Sequence, residues 1–448
     1  MPNTSDRERS DAPDPRAIDR RILALAVPAL GALVAEPLFL LADTAMVGHL
    51  GAEALAALGV ASTILQTLVG LCVFLAYTTT PRVARRLGAG DARGAVRAGV
   101  EGMWLGLGVG VLLGILTAVT SSPAPFLLTS DPAVASLARD YLAASAVGLP
   151  AMLLVIAAAG LFRGLQDTKT PLVVAGLGFL ANAALNAVFI YGFGLGVLGS
   201  AIGTAIAQWA MAFVYVVIAV RAARREGASL TPGVGGVRRA LVDSSLMLLR
   251  SVSLRAVLVA VVLVGGLAGV AELAALQVLL TTFSLLAFAL DALAIAAQSM
   301  IGHDLGAGAF ATVRLTTKRV VRWSVLAGIL CGVVGLALAN FAGGIFTSDA
   351  RVLELLPLGF VVLAISAPIA GFVFALDGVL IGAGDVRYLA FWGTIPALVT
   401  LAALAAVASA HLAGVAAVTW IWLGFTVVFL GARGVVLGLR ARSDVWMQ

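Results

Sequence analysis

Residues 22–48 read ILALAVPALGALVAEPLFLLADTAMVG, a run that contains two carboxylates, Glu36 and Asp43, and no basic side chain. A helix of about 20 apolar residues crosses the hydrocarbon core of a bilayer. The run is therefore long enough to span, and its two prolines, Pro28 and Pro37, permit bending near Asp43. Working outward, similar apolar segments, broken by glycine, proline and charge, fall near 53–82, 95–120, 133–163, 170–192 and 196–221. A second set falls near 246–270, 272–301, 312–340, 352–383, 386–409 and 411–437. The pattern predicts an all-α membrane protein of twelve transmembrane helices. Composition agrees: 61% of the 448 residues are hydrophobic and 12% charged, where a soluble domain carries about 25% charge. An ordinary soluble enzyme is excluded.

The net charge of +6 points to membrane orientation and not to nucleic acid, because the basic residues sit in short clusters between apolar runs. With the amino terminus inside, only Arg139 and Arg351 fall on or near outer loops. Arg82, Arg85, Arg86, Arg93 and Arg97 follow the second span, and Arg221, Arg224, Arg225, Arg238 and Arg239 fill the central loop. Both termini are expected in the cytoplasm. Residues 1–21 mix both charge signs and read as a disordered tail. The lobes are expected at 22–221 and 246–440, joined by a polar linker at 222–245 and followed by a short tail at 441–448. Cys72 and Cys331 lie in apolar runs and suggest neither a disulfide nor a metal site.

The two halves are copies of one unit. A shift of 218 residues aligns Leu55-Ala56-Ala57-Leu58 with Leu273-Ala274-Ala275-Leu276, and Leu87-Gly88-Ala89-Gly90 with Leu305-Gly306-Ala307-Gly308. The same shift pairs Asp131 with Asp349, Pro150 with Pro368, and Gly164-Leu165-Gln166-Asp167 with Gly382-Ala383-Gly384-Asp385. Six helices per copy return the chain to the side it started from. The repeats should therefore be parallel, related by a pseudo-twofold axis along the membrane normal, with substrate between them.

Acids within the apolar runs are few: Glu36, Asp43, Asp291 and Asp377. A charge at the bilayer centre costs at least ~2.5 kcal/mol, and taking up a proton relieves that cost. Such a group is a candidate proton carrier. The repeat sharpens the case, because Asp43, Asp291 and Asp377 correspond to Val261, Val73 and Ala159. The fold was duplicated and the acids were not, although interfacial placement also explains an acid near a helix end. Asn182 and Asn186 stand one turn apart in FLANAALNAVF, either as interhelical glue or as hydrogen-bond partners of a carboxylate. Arg250 and Arg255 are expected to snorkel to the cytoplasmic face, and Glu101 to pair with Arg97. The histidines His49, His303 and His411 lack metal-ligand spacing. No cofactor, nucleic acid or resident metal is implied.

LFLLADTAMVGHLG followed by ALAALGVA resembles the first helix pair of the multidrug and toxic compound extrusion (MATE) transporters, in the branch of DNA-damage-inducible protein F (DinF). GLFRGLQDTKTP, the asparagine pair, ALDALAIAAQSMIGHDLGAG and ALDGVLIGAGD are similar to later helices of that family. The resemblance covers residues 22–440. It implies a two-lobed, monomeric exporter of amphipathic, often cationic small molecules, driven by inward H⁺ or Na⁺. It also implies that Asp43 is the cation-linked group, surrounded by Asn182, Asn186 and Thr204, and that Asp291 and Asp377 are the acids of the second lobe. Some relatives carry aspartate in place of Asn186 and tyrosine in place of Phe39, a departure that disfavours a Na⁺ cage built from two carboxylates.

Two other classes are weighed against this. A flippase of a lipid-linked precursor would need basic residues along its cavity, and here the arginines are expected at the cytoplasmic rim. An intramembrane aspartyl protease is suggested by Gly382-Ala383-Gly384-Asp385, but the repeat places its counterpart in a turn, where glycine supplies geometry and not catalysis. Neither Lys169 nor Lys318 sits in a nucleotide-binding loop.

Overall fold

The computed structural model describes residues 14–346 and 349–447, all helix and connecting turns, with no strand among them. Twelve helical segments in it are long and apolar enough to cross a membrane. In chain order the helices are α1 Pro15–Gly48, α2 Ala52–Leu71, α3 Phe74–Gly88, α4 Ala92–Thr120, α5 Pro132–Gly164, α6 Lys169–Ala187 and α7 Gly196–Arg225. The second half comprises α8 Val234–Ala268, α9 Val270–Gly306, α10 Phe310–Phe346, α11 Ala350–Gly382, α12 Val386–Ser409, α13 Gly414–Leu423 and α14 Leu430–Arg442. Helices α2 and α3 make one span that tightens at Cys72, whose N–H bonds to the Val69 carbonyl three residues back. A π-turn at Gly424–Phe429 joins α13 to α14 in the last span, and another at Val188–Gly192 ends the fifth.

Residues 28–245 form one compact unit, and residues 246–447 form another together with the start of α1 through Val27. The 218-residue repeat is visible in how each unit is built. Asp131 and Asp349 cap α5 and α11, accepting from the N–H groups of Ala133 and Arg351 at 2.8 Å each. In the N-terminal unit α4 packs along α5, and in the C-terminal unit α10 packs along α11. Both seams are set by glycine against backbone. A Cβ on Gly110 would stand 2.6 Å from Pro150 Cα, and one on Gly114 would stand 2.7 Å from the Ala146 carbonyl oxygen. Their counterparts Gly328 and Gly332 meet Pro368 Cα at 3.0 Å and the Ala364 carbonyl oxygen at 2.6 Å. Helices of this kind associate by close backbone approach, since lipid offers no hydrophobic reward for it.

The first turns of α1 differ from the expected tail. Helix begins at Pro15, and Ile18, Ile22, Leu25 and Ala26 are buried. Two of the charges that read as solvent-facing, Asp19 and Arg21, are paired instead. Asp19 accepts from Arg319 Nε at 2.8 Å and Trp323 Nε1 at 2.9 Å, and Arg21 donates to Asp304 at 2.9 Å. Residues 1–13 of that expected tail lie outside the described residues. Helix enters the expected linker from both ends, α7 running to Arg225 and α8 starting at Val234. The side chains of Arg238 and Arg239 lie outside the described residues.

Candidate functional site

Asp43 sits five residues before the end of α1 and is 2% exposed. Three neutral groups from three helices converge on it. Asn186 in the last turn of α6 donates from Nδ2 to Oδ1 at 2.5 Å, and Ser200 on α7 donates to the same oxygen at 2.7 Å. The hydroxyl of Tyr141 on α5 faces Oδ2 at 3.4 Å. A second layer holds the first: Asn182 donates to Thr204 Oγ1 at 2.9 Å, and the two asparagine amides exchange contacts at 3.3 and 3.4 Å. One-turn spacing explains the set, because Asn182 and Asn186 share a face of α6 while Ser200 and Thr204 share a face of α7.

Gly203 makes this approach feasible, since a Cβ there would collide with Asn186 Oδ1. The buried polar atoms thus satisfy one another, as a network in a low-dielectric interior must. Chemically, the arrangement is a carboxylate whose hydrogen-bonding partners are all neutral donors. It can hold an anion without a fixed counter-ion, and it can take up a proton or a cation in exchange.

The structure brings together Asp43, Asn182, Asn186 and Thr204 from the sequence reading and adds Tyr141 and Ser200, which that reading missed. Ser200 had a signal, its four-residue spacing from Thr204; Tyr141 had none. Pro28, Pro37 and Phe39 are half-buried along α1, and the side chain of Glu36 lies outside the described residues. Asp291 is half-buried on α9.

Asp377, expected with Asp291 as an acid of the second lobe, is ion-paired. Arg250 on α8 and Arg433 on α14 both donate to its Oδ2, Arg433 at 2.6 Å. Arg250 therefore does not snorkel: it is 6% exposed and points inward, because a buried carboxylate compensates its charge. Arg433 is likewise buried, at 8% exposure. Glu101 does pair with Arg97, at 3.4 Å, and also with Arg82 at 3.2 Å. Asp385, the acid of the protease-like motif, accepts from Arg440 Nε at 2.7 Å. Among the described residues no group of three His, Cys, Asp or Glu side chains is placed to hold a metal ion.

The MatE family pattern matches residues 28–188 and 251–407. Protein DETOXIFICATION 44, chloroplastic, of Arabidopsis thaliana is 30% identical over 469 residues, covering 99% of this chain and 86% of its own. DNA damage-inducible protein F of Escherichia coli K12 is 27% identical over 371 residues, covering 82% of this chain and 81% of its own. Among solved structures, the Vibrio cholerae MATE transporter VcmN in its bent form is similar with a TM-score of 0.85 at 21% identity, covering 97% of this chain and 99% of that one.

Proposed function

The chain belongs to the MatE family of multidrug and toxin efflux transporters, which are not enzymes, and from that premise we propose that it expels amphipathic, often cationic compounds in exchange for protons, with Asp43 as the proton-carrying group. The observation that carries this reading is a buried carboxylate whose hydrogen-bonding partners, Asn186, Ser200 and Tyr141, are all neutral. Ionised, Asp43 accepts from all three and favours a cationic solute nearby. Once protonated on Oδ2 it gains an O–H donor: Oδ1 goes on accepting from Asn186 and Ser200, and the Tyr141 hydroxyl reverses from donor to acceptor. The charge that favoured a cationic solute is then gone, and the bonds from Asn186 and Ser200 lose their charge assistance. Protonation thereby loosens the hold of α6 and α7 on α1 and releases the solute.

H⁺ is preferred to Na⁺ because the groups around the carboxylate present N–H and O–H donors to it, and Asn186 contributes an amide in place of a second carboxylate. One proton moving through ~100 mV yields about 2.3 kcal/mol. At about 1.4 kcal/mol per decade, that sustains roughly a fifty-fold gradient of an uncharged solute, whereas exchange for a monovalent cation is electroneutral and is driven by the pH gradient alone. In this reading the chain works as a monomer in a bacterial inner membrane, with both termini in the cytoplasm. The test is dye efflux in everted membrane vesicles. Collapse of efflux with a protonophore, and indifference to sodium removal, is expected; efflux that survives the protonophore and stops without sodium overturns the proton assignment.

A further inference from the structure

One end of the N-terminal unit gathers exposed positive charge that the efflux reading does not use. Arg93 and Arg97 stand one turn apart at the start of α4, and Arg221, Arg224 and Arg225 close α7. All five are exposed. The two helices meet between them, where Val96 and Val100 pack with Ala223, so the arginines flank a single seam. Arg97 pairs with Glu101 at 3.4 Å, whereas Arg93, Arg221, Arg224 and Arg225 have no acidic partner among the described residues. Neighbouring acids are engaged elsewhere: Glu101 also holds Arg82, and Asp91 holds Arg86 and the N–H of Gly94. Glu226, exposed beside Arg225, is the acid that opposes the cluster. The duplicated scaffold does not require these arginines: at the 218-residue shift Arg93, Arg97, Arg221 and Arg225 correspond to Ala311, Leu315, Leu439 and Ser443.

What continues from the arginines along each helix identifies their partner. The exposed face of α4 runs on from Arg97 through Trp104, Leu112 and Ile115, and that of α7 runs back from Arg221 through Val216, Phe213 and Trp209. Trp104 lies about 10 Å along the helix from Arg97 by helical rise, and its Nε1 donates to the Leu230 carbonyl at 2.9 Å. Such an indole, apolar in body and polar at its tip, suits the boundary between acyl chains and headgroups. Two exposed apolar stripes are thus each topped by arginine. We propose that this seam binds the phosphate of an anionic phospholipid headgroup, with the acyl chains lying along the stripes below. Guanidinium forks match phosphate oxygens. A zwitterionic headgroup brings an ammonium among unpaired arginines and is disfavoured. This surface stands apart from Asp43 and does not depend on how transport is coupled.

The test is tryptophan quenching by brominated-chain lipids in the full-length chain, reconstituted in phosphatidylcholine nanodiscs, with the Trp104 signal read as the difference from Trp104→Phe. Brominated phosphatidylglycerol should compete for that position at least about tenfold better than brominated phosphatidylcholine. With Arg93→Gln, Arg221→Gln, Arg224→Gln and Arg225→Gln combined, the two lipids should come within about twofold of each other. Glu226→Gln removes the opposing acid and should widen the wild-type preference, a readout that stands even if the combined variant does not fold. The same loss of charge at exposed Lys318, Arg322, Arg387 and Arg442 of the C-terminal unit should leave the preference unchanged. Four results would overturn the proposal. These are no preference in the wild type, an unchanged preference in the combined variant or in Glu226→Gln, and an equal loss in the C-terminal control, which would mark a diffuse positive surface. The fourth is relief of quenching by inorganic phosphate as readily as by unbrominated phosphatidylglycerol, which would make a free anion the ligand.

Discussion

Replacing Asp43 by asparagine separates the charge of the site from its architecture. An asparagine keeps one oxygen, which can go on accepting from Asn186 and Ser200 at the positions now 2.5 and 2.7 Å from Oδ1. Its new amide N–H₂ faces the Tyr141 hydroxyl, 3.4 Å from Oδ2, and that hydroxyl can reverse from donor to acceptor. The net change in neutral hydrogen bonding should be below about 1 kcal/mol, so Asp43→Asn should fold like the parent. Asp43→Leu is the contrast: it strands the Asn186 and Ser200 donors in a buried site, at about 1–3 kcal/mol each, and should lower the unfolding temperature clearly. With no proton to carry, Asp43→Asn forfeits the roughly 1.4 kcal/mol that one proton gains per unit of pH gradient. In proteoliposomes with an imposed gradient of about one pH unit, the wild type should drive a monovalent cationic dye toward a roughly tenfold gradient, because the exchange is electroneutral and each pH unit is worth about 1.4 kcal/mol. The variant should do no better than equilibrate it. A folded Asp43→Asn protein that builds the wild-type gradient at the wild-type rate would refute the assignment of coupling to this carboxylate.

Other consequences can be checked with purified protein. Gly110→Ala drives a methyl against Pro150 Cα and should destabilise by about 1–3 kcal/mol, whereas Gly108→Ala on the same helix meets nothing within 4 Å and should stabilise by about 0.5–1 kcal/mol; thermal unfolding reads both. Thr204→Val removes the acceptor of Asn182 Nδ2 and should cost about 1 kcal/mol, with a further loss of efflux as the support of Asn186 loosens. Gln166 adopts a left-handed backbone at φ 63°, where its repeat counterpart is Gly384 at φ 74°. Gln166→Gly should therefore raise the unfolding temperature, by up to about 1 kcal/mol of relieved strain. Asp19→Arg should lower the unfolding temperature, and pairing it with Arg319→Asp should restore most of the loss, since the two now share a two-pronged contact.

The spans were legible because hydropathy over 20 residues is a local property, and the repeat because a single ungapped shift holds from Leu55 to Asp167. The Asp43 site was legible in part. An aspartate and two asparagines in apolar runs are conspicuous, whereas Tyr141 and Ser200 are unremarkable until the fold carries them 98 and 157 residues across the chain to the same carboxylate. Arg250 misled for a related reason. Counting from the start of its span places Arg250 within reach of the headgroups, but long-range pairing decides where such a side chain goes, and Asp377 lies 127 residues away in sequence. The charged start of α1 was misread in the same way, its partners being some 300 residues downstream.

The glycine-on-backbone seams at Gly110 and Gly328 bear on how such a molecule can change over generations. Because each seam is fixed by main-chain surfaces, the side chains elsewhere in a half are free to drift without undoing its assembly. The positions of Asp43, Asn186 and Ser200 read Val261, Leu404 and Val418 in the other copy. One ancestral body has thus been able to specialise twice, and a new ion or cargo could be accommodated by a handful of replacements in one copy while its twin keeps its own trade.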